Sequence, residues 1–367
     1  MQGTRGCHLR SLSLFYNAHV KTSDVIIIGG GIIGLSLAIA LRKRGASVLV
    51  VERGEPGREA SYAAGGMLVD SASETPPVLQ PVATASARMY PEFVRDIQEL
   101  SGINVDLREH GAIVFTDHIA GAQALSSAEL AELDPALSPS ARNCFYLKER
   151  SVDPRALSTA AWKAAKRIEV DFSSGDEVTS VNISDGRAVG VTTARTAFGA
   201  DKIVNCAGAW SGLISPHKFP TRPVKGQMLC LIVPSRTLLR HVVRSPEAYL
   251  IPRSDGRLLV GATVEEAGFD KRVDRTTIQR LHHAAIALVP ELRDAKILED
   301  WAGLRPGTPD ALPILGATST PGYYVATGHF RDGILLAPVT AKLMAAVISG
   351  DEPEHDLSAF SPNRFPL

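Results

Sequence analysis

An excess of charge of either sign is missing from this 367-residue chain: Lys plus Arg is 39, Asp plus Glu is 39, and the formal net charge is zero. That balance argues against a nucleic-acid partner, because a basic excess that neutralises phosphates supplies most of the affinity of such binders. Cysteine is also scarce. Cys7, Cys144, Cys206 and Cys230 are scattered, with no CxxC pair and no neighbouring histidine cluster. Their spacing excludes a zinc ribbon, argues against a disulfide framework and fits a reducing, cytoplasmic setting. No metal site is expected. A membrane span is not expected either. The run 25–41 reaches membrane-like hydropathy, but it carries four glycines in its first ten residues, which a soluble βα unit explains better. Residues 1–22 are mildly basic, and their apolar stretch at 12–16 is too short and too polar for a secretory signal. They read as a tail or an overlong start.

What is present belongs to a folded chain. Hydrophobic residues make up 45% and charged residues 21%, which removes the disordered class. The length predicts about two domains. A strand is expected at 24–28, then Gly29-Gly30-Gly31-Ile32-Ile33-Gly34, a helix at 35–43, and a second parallel strand at 47–51 with Glu52 at its end. Helices are expected at 91–101, 154–167, 276–288 and 333–348, a hairpin at 178–193 around Asp185-Gly186, and buried strands at 202–205 and 323–326. Parallel signals at the start, middle and end, with antiparallel ones between them, predict a mixed α/β chain. A Rossmann-like domain (23–100, 151–215 and 300–350) is expected to be interrupted by a sheet-rich substrate domain (101–150 and 216–299), with tails at 1–22 and 351–367.

The glycine run carries the first chemistry. Gly29 permits the tight turn, Gly31 lets the backbone approach a pyrophosphate, and Gly34 allows close helix–strand contact. The following helix offers its N-terminal amides to the phosphates. Glu52 lies 21 residues beyond Gly31, where a carboxylate would bind a ribose hydroxyl. Strand, loop, helix and acid together predict a dinucleotide site.

Seven segments then settle which dinucleotide by likeness: VIIIGGGIIGLSLAIAL at 25–41, EASYAAGGML at 59–68, IVNCAGAWS at 203–211, PVKGQM at 223–228, YLIPR at 249–253, WAGLRPGTPD at 301–310 and GHFRDGILLAPVT at 328–340. In that order they resemble the D-amino-acid oxidase family of flavoproteins, and within it the branch that oxidises glycine for the thiazole of thiamine. The resemblance implies non-covalent FAD, since the covalent branch uses a C-terminal cysteine and all four cysteines here precede residue 231. It implies FAD contacts from Ile32 and Ile33, from Glu52 and Arg53 at the adenosine end, and from Ala60, Ser61, Gly65, Gly66 and Met67 along the isoalloxazine. Val178 would contact the adenine, and the turn His329, Phe330, Arg331, Asp332, Gly333, Ile334 and Leu335 would lie against the flavin.

It further implies that Arg305, Arg331 and Tyr249 bind the substrate. A guanidinium grips a planar carboxylate with two parallel hydrogen bonds. No protein residue is assigned as catalytic, because the flavin N5 does the chemistry. Of the histidines that invite a catalytic role, His110, His241, His282, His283 and His329, none is assigned one: His282 and His283 lie on a polar helix and read as solvated, and His329 has no evident partner to make it a base. Glu247 stands where the resembling enzymes carry a histidine, and Gly65-Gly66 where they carry Ala-Gly. The expected activity is oxidative deamination of glycine, sarcosine or small D-amino acids with molecular oxygen, in a homo-oligomer, commonly a homotetramer, with thiazole synthase as a partner. A proline-type oxidase, a quinone-linked dehydrogenase and a non-catalytic FAD-binding subunit are the alternatives.

Overall fold

Alternation inside the first apolar strands builds a sheet covered on both faces. The computed structural model describes residues 22–71, 75–138 and 142–365; all but the last residue of the expected N-terminal tail therefore falls outside the described residues. The strand Thr22–Ile28, the helix Ile32–Lys43 and the strand Val48–Glu52 form the expected βαβ unit. Val25, Ile27, Val48 and Val50 enter one core cluster, whereas Ile26, Ile28, Leu49 and Val51 enter another on the opposite face. Successive strand residues face opposite ways, so a continuous β-branched run needs cover on both sides. The eight-stranded sheet has the order Ile314–Ala317, Tyr323–Thr327, Ala197–Asn205, Thr22–Ile28, Val48–Glu52, Asp171–Ser174, with the hairpin Val178–Ser184 and Arg187–Thr193 branching from the 197–205 strand.

Four helices, Ile32–Lys43, Gln80–Ser101, Pro154–Arg167 and Gly333–Ser349, supply one cover. Two of them contain an internal proline, which removes an N–H and strands the carbonyl four residues earlier. Pro338 strands the Ile334 carbonyl, which accepts from the buried Tyr90 hydroxyl at 2.6 Å. The next carbonyl, of Leu335, accepts from Ser86 Oγ at 2.6 Å. Pro91 strands the Ala87 carbonyl, which accepts from Arg150 Nη1 at 3.3 Å. The helix expected to begin at Pro91 therefore begins at Gln80 and runs through the proline.

A second, seven-stranded sheet has the order Lys296–Gly307, Arg222–Ile232, Arg257–Gly261, Tyr249–Pro252, Val242–Arg244, Ala112–Phe115, Cys144–Leu147. The helix Arg275–Leu288, capped by Asp274, backs one of its faces. The 296–307 strand pairs with 222–232 along nearly its whole length. An expected boundary at residue 300 thus falls inside a strand of this sheet, because the ladder continues to Gly307. A short helix at Ser127–Leu133 is closed by the Ser126–Glu129 capping box.

Candidate active site

One cavity of about 1020 Å³ runs from the glycine turn to the seven-stranded sheet. Its dinucleotide end follows from backbone constraints. Gly29 has φ +104, a region that side-chain-bearing residues avoid, and a Cβ there would sit 2.6 Å from the Cys206 carbonyl oxygen. Gly31 caps the helix Ile32–Lys43 without a side-chain bond, and its first turn holds no acid. Ser61 Oγ accepts from the Ile32 amide at 2.9 Å. The remaining first-turn amides and the positive dipole end suit a pyrophosphate. Glu52 is buried beside them and accepts from the Gly30 amide at 2.7 Å and the Gly54 amide at 2.8 Å. Burial raises its carboxyl pKa, and these two amides oppose that shift.

Arg53 reaches over the ring of Trp210, its guanidinium 4.2 Å from the centroid, and Trp210 in turn packs on Phe269 at 5.3 Å. Trp210 lines the cavity together with Val178, Cys206 and Ala207. It was present in the segment 203–211, but nothing local announced its stacking partner.

Ala60, Ser61, Gly65, Gly66 and Met67 line the same cavity, as do His329, Phe330, Arg331, Asp332, Gly333 and Ile334. Gly333 opens the apolar helix Gly333–Ser349, whose N-cap Asp332 makes no side-chain cap bond. Leu335 does not reach the cavity. Its side chain turns into the core, where it is 2% exposed. Gly34 is likewise away from the lining, since its missing Cβ leaves room for Ile27 and the Gly29 carbonyl, the close helix–strand contact expected of it. Burial pushes His329 down to about 3, and its Nε2 pairs with Thr340 Oγ1 at 3.1 Å, so it is a neutral structural group near pH 7.

At the far end, Arg305 projects from the 296–307 strand across Gly226, and its Nη1 donates to the Thr263 carbonyl at 3.1 Å. Tyr249 stands beside it, half-buried, its hydroxyl donating to Met228 Sδ at 3.7 Å. Burial raises the phenol pKa, while Arg305 and Arg331 both act to lower it, which sets two guanidinium charges around one phenol. Arg331 lies exposed, over the Phe330 ring at 5.3 Å. Among the described residues neither Arg305 nor Arg331 makes an ion pair with a carboxylate. Glu247 lines the cavity too, but it is bridged to Arg142 at 2.8 Å, and that hydrogen bond holds its carboxyl below the usual range. Two of the other histidines are tied up elsewhere: His241 is bonded to buried Asp134 at 2.8 Å, and His282 to the Leu292 carbonyl at 3.1 Å. Among the described residues no cluster of His, Cys, Asp or Glu forms a metal site, and no helix is long and apolar enough to cross a membrane.

The sequence profile of the FAD dependent oxidoreductase family (DAO) matches residues 24–347. The chain belongs to this family. Its relatives include the glycine oxidase of Geobacillus kaustophilus, 33% identical, with 93% of this chain aligned to 97% of that protein. The crystal structure of glycine oxidase from Geobacillus kaustophilus superposes with a TM-score of 0.89 at 31% identity, over 94% of this chain and 100% of that one. The bifunctional protein ThiO/ThiG of Trichormus variabilis is 35% identical over 94% of this chain. The chain spans about half the length of that bifunctional relative (55%). As in other FAD-dependent oxidoreductases the cofactor is FAD, and the residues present fit it: uncapped helix amides for the pyrophosphate, buried Glu52 for a ribose, and a cavity at the upper end of the ~300–1,000 Å³ range of ligand sites.

Proposed function

We propose that this oxidoreductase converts glycine, dioxygen and water to glyoxylate, ammonia and hydrogen peroxide, and accepts sarcosine and small D-amino acids in the same way. One observation carries the reading. Arg305, with no carboxylate partner among the described residues, lies beside Tyr249 in the cavity that begins at the glycine turn. An amino acid brings the missing carboxylate, and a guanidinium binds it bidentately. Arg305 and Tyr249 would fix that group and so set the α-carbon, while Arg331 adds a second positive charge at the same end. FAD, when bound, accepts the two electrons and hands them to dioxygen. The protein's contribution is orientation and a fixed electrostatic environment. The N-terminus of the Gly333–Ser349 helix favours negative charge in the cavity by about 0.3–2 kcal/mol. A substrate amine bound neutral asks no proton transfer of His329, which stays uncharged.

The relatives named glycine oxidase support this substrate, and the fused ThiO/ThiG relative supports a role in supplying the thiazole of thiamine, with thiazole synthase as partner. The free, buried Cys144, Cys206 and Cys230 support a cytoplasmic setting. A homo-oligomer, homotetramer included, is part of the same reading. Anaerobic addition of glycine to the purified holoenzyme tests it. Oxidised-flavin absorbance is expected to bleach, and peroxide to appear on admitting air. Bleaching without peroxide would mark a quinone-linked dehydrogenase. Flavin that stays oxidised with glycine, sarcosine, D-alanine and D-proline refutes the reading.

A further inference from the structure

We propose that Arg253 is a positioning residue for the cofactor, fastening the Gly65–Gly66 segment of the cavity wall to the strand that carries Tyr249. The inference concerns the FAD end of the site and does not depend on which amine is oxidised. Residues 249, 251 and 253 alternate along one strand and its immediate extension, so their side chains share one face. The Gly65–Gly66 backbone is seated on that face. A Cβ on Gly65 would lie 2.7 Å from Ile251 Cδ1 and 3.5 Å from Tyr249 Cε2, and Arg253 Nη2 donates to the Gly65 carbonyl at 2.6 Å. Ile251 and Tyr249 make apolar contact only; Arg253 supplies the polar lock.

The other side of the segment is held just as closely. The Val152 amide donates to the Gly66 carbonyl at 2.8 Å. The next residue, buried Asp153, caps the helix Pro154–Arg167 through the Arg155 and Ala156 amides, and its carboxylate acts on the Arg253 charge. Val152 and Arg253, about a hundred residues apart in the chain, thus grip two successive peptide groups of the cavity wall, one through a charged donor. Arg253 is 2% exposed, and its Nη1 has no partner among the described residues. Burying an incompletely paired guanidinium is costly, and a core needing only packing would be served by an apolar side chain. A charged donor at this carbonyl gives what packing does not, a fixed orientation of a peptide group that lines the cavity.

The test uses the full-length protein, stripped of FAD and titrated with it while flavin fluorescence is followed. R253M keeps an unbranched apolar stem and removes the donors; R253K keeps the charge and one donor direction. R257M is the control, because Arg257 pairs with the same Asp153 at 2.7 Å but is not the donor to Gly65. R253M is expected to weaken FAD binding by about tenfold or more, the loss of one charge-assisted hydrogen bond. It should also alter the visible absorption band of the bound flavin. R253K is expected between wild type and R253M, with a rise in Kd of roughly threefold, and R257M within about twofold of wild type. An R253M protein with wild-type affinity and spectrum overturns the proposal. So does R257M weakening FAD as much as R253M, which would reduce Arg253 to general support of Asp153. If R253M does not fold, R253K decides: affinity and spectrum identical to wild type overturn the proposal.

Discussion

Gly226 is where the proposed carboxylate grip of Arg305 is most easily broken without touching Arg305 itself. An ideal Cβ at this position lies 2.6 Å from Arg305 Cζ and closer still to both Nη atoms. The nearest guanidinium atom, Nη1, would lie 2.3 Å from that Cβ, and ordinary contact begins near 3.4 Å, so in Gly226→Ala the guanidinium has to retreat by about 1.1 Å. A retreat of that size takes the 3.1 Å bond to the Thr263 carbonyl to as much as about 4.2 Å, where it no longer counts as a hydrogen bond. It also shifts the guanidinium relative to Tyr249. Losing one charge-assisted bond costs about 1.5–3 kcal/mol. At about 1.4 kcal/mol per decade, glycine kcat/KM should fall by about 10- to 100-fold. The carboxylate is gripped in ground and transition states alike, so most of the loss should appear in KM. Oxygen uptake with glycine gives kcat and KM, and the Ki of glycolate, a carboxylate without the amine, should rise in step. The backbone itself is not strained by alanine in a strand, so flavin content should stay at the wild-type level. A folded, flavin-loaded Gly226→Ala enzyme with unchanged KM and glycolate Ki would refute the placement of Arg305 as the carboxylate group.

Three further outcomes follow from separate parts of the fold. Tyr90→Phe leaves the Ile334 carbonyl, stranded by Pro338, without its donor, and urea denaturation should show a loss of about 1–3 kcal/mol; a change below about 0.5 kcal/mol would disprove that role. His329 is held down to about 3 in the fold against an ordinary 6.5, so the unfolded chain takes up a proton first as pH falls. Its contribution is full above pH 6.5 and is lost between 6.5 and 3, by about 1.4 kcal/mol per pH unit at most. Melting temperatures of wild type and His329→Gln should therefore diverge across that window, the variant losing less, and parallel curves would contradict the assignment. Glu52→Ala removes the acceptor of both the Gly30 and Gly54 amides, and FAD titration of the stripped protein should show affinity weakened by about tenfold or more.

What the sequence made legible is what a short stretch of backbone must do by itself. Gly29 needs a positive φ, Gly34 needs to touch a strand, and Glu52 sits at the end of the next parallel strand, so a single βαβ unit announces a nucleotide. Arg305, Tyr249 and Arg331 were identified only by likeness to a family, since nothing in their spacing says that three elements bring them together around one phenol. The two internal prolines show where local rules stop. The helix expected at 91–101 starts at Pro91, a position proline tolerates, whereas proline disfavours a helix interior. The carbonyl stranded by Pro91 is rescued by Arg150, 63 residues away from Ala87 in the chain, as that stranded by Pro338 is rescued by Tyr90, 244 residues away from Ile334. A helix can run through proline when tertiary structure supplies the missing donor, and no window of sequence contains that donor. The same holds for Arg253. It closes YLIPR like any charged residue leaving a strand, and only the arrival of Gly65, 188 residues earlier, turns it into a buried clamp on the cavity wall. Residues that hold other residues in place are therefore the last to be read from sequence, because their partners are chosen by the fold.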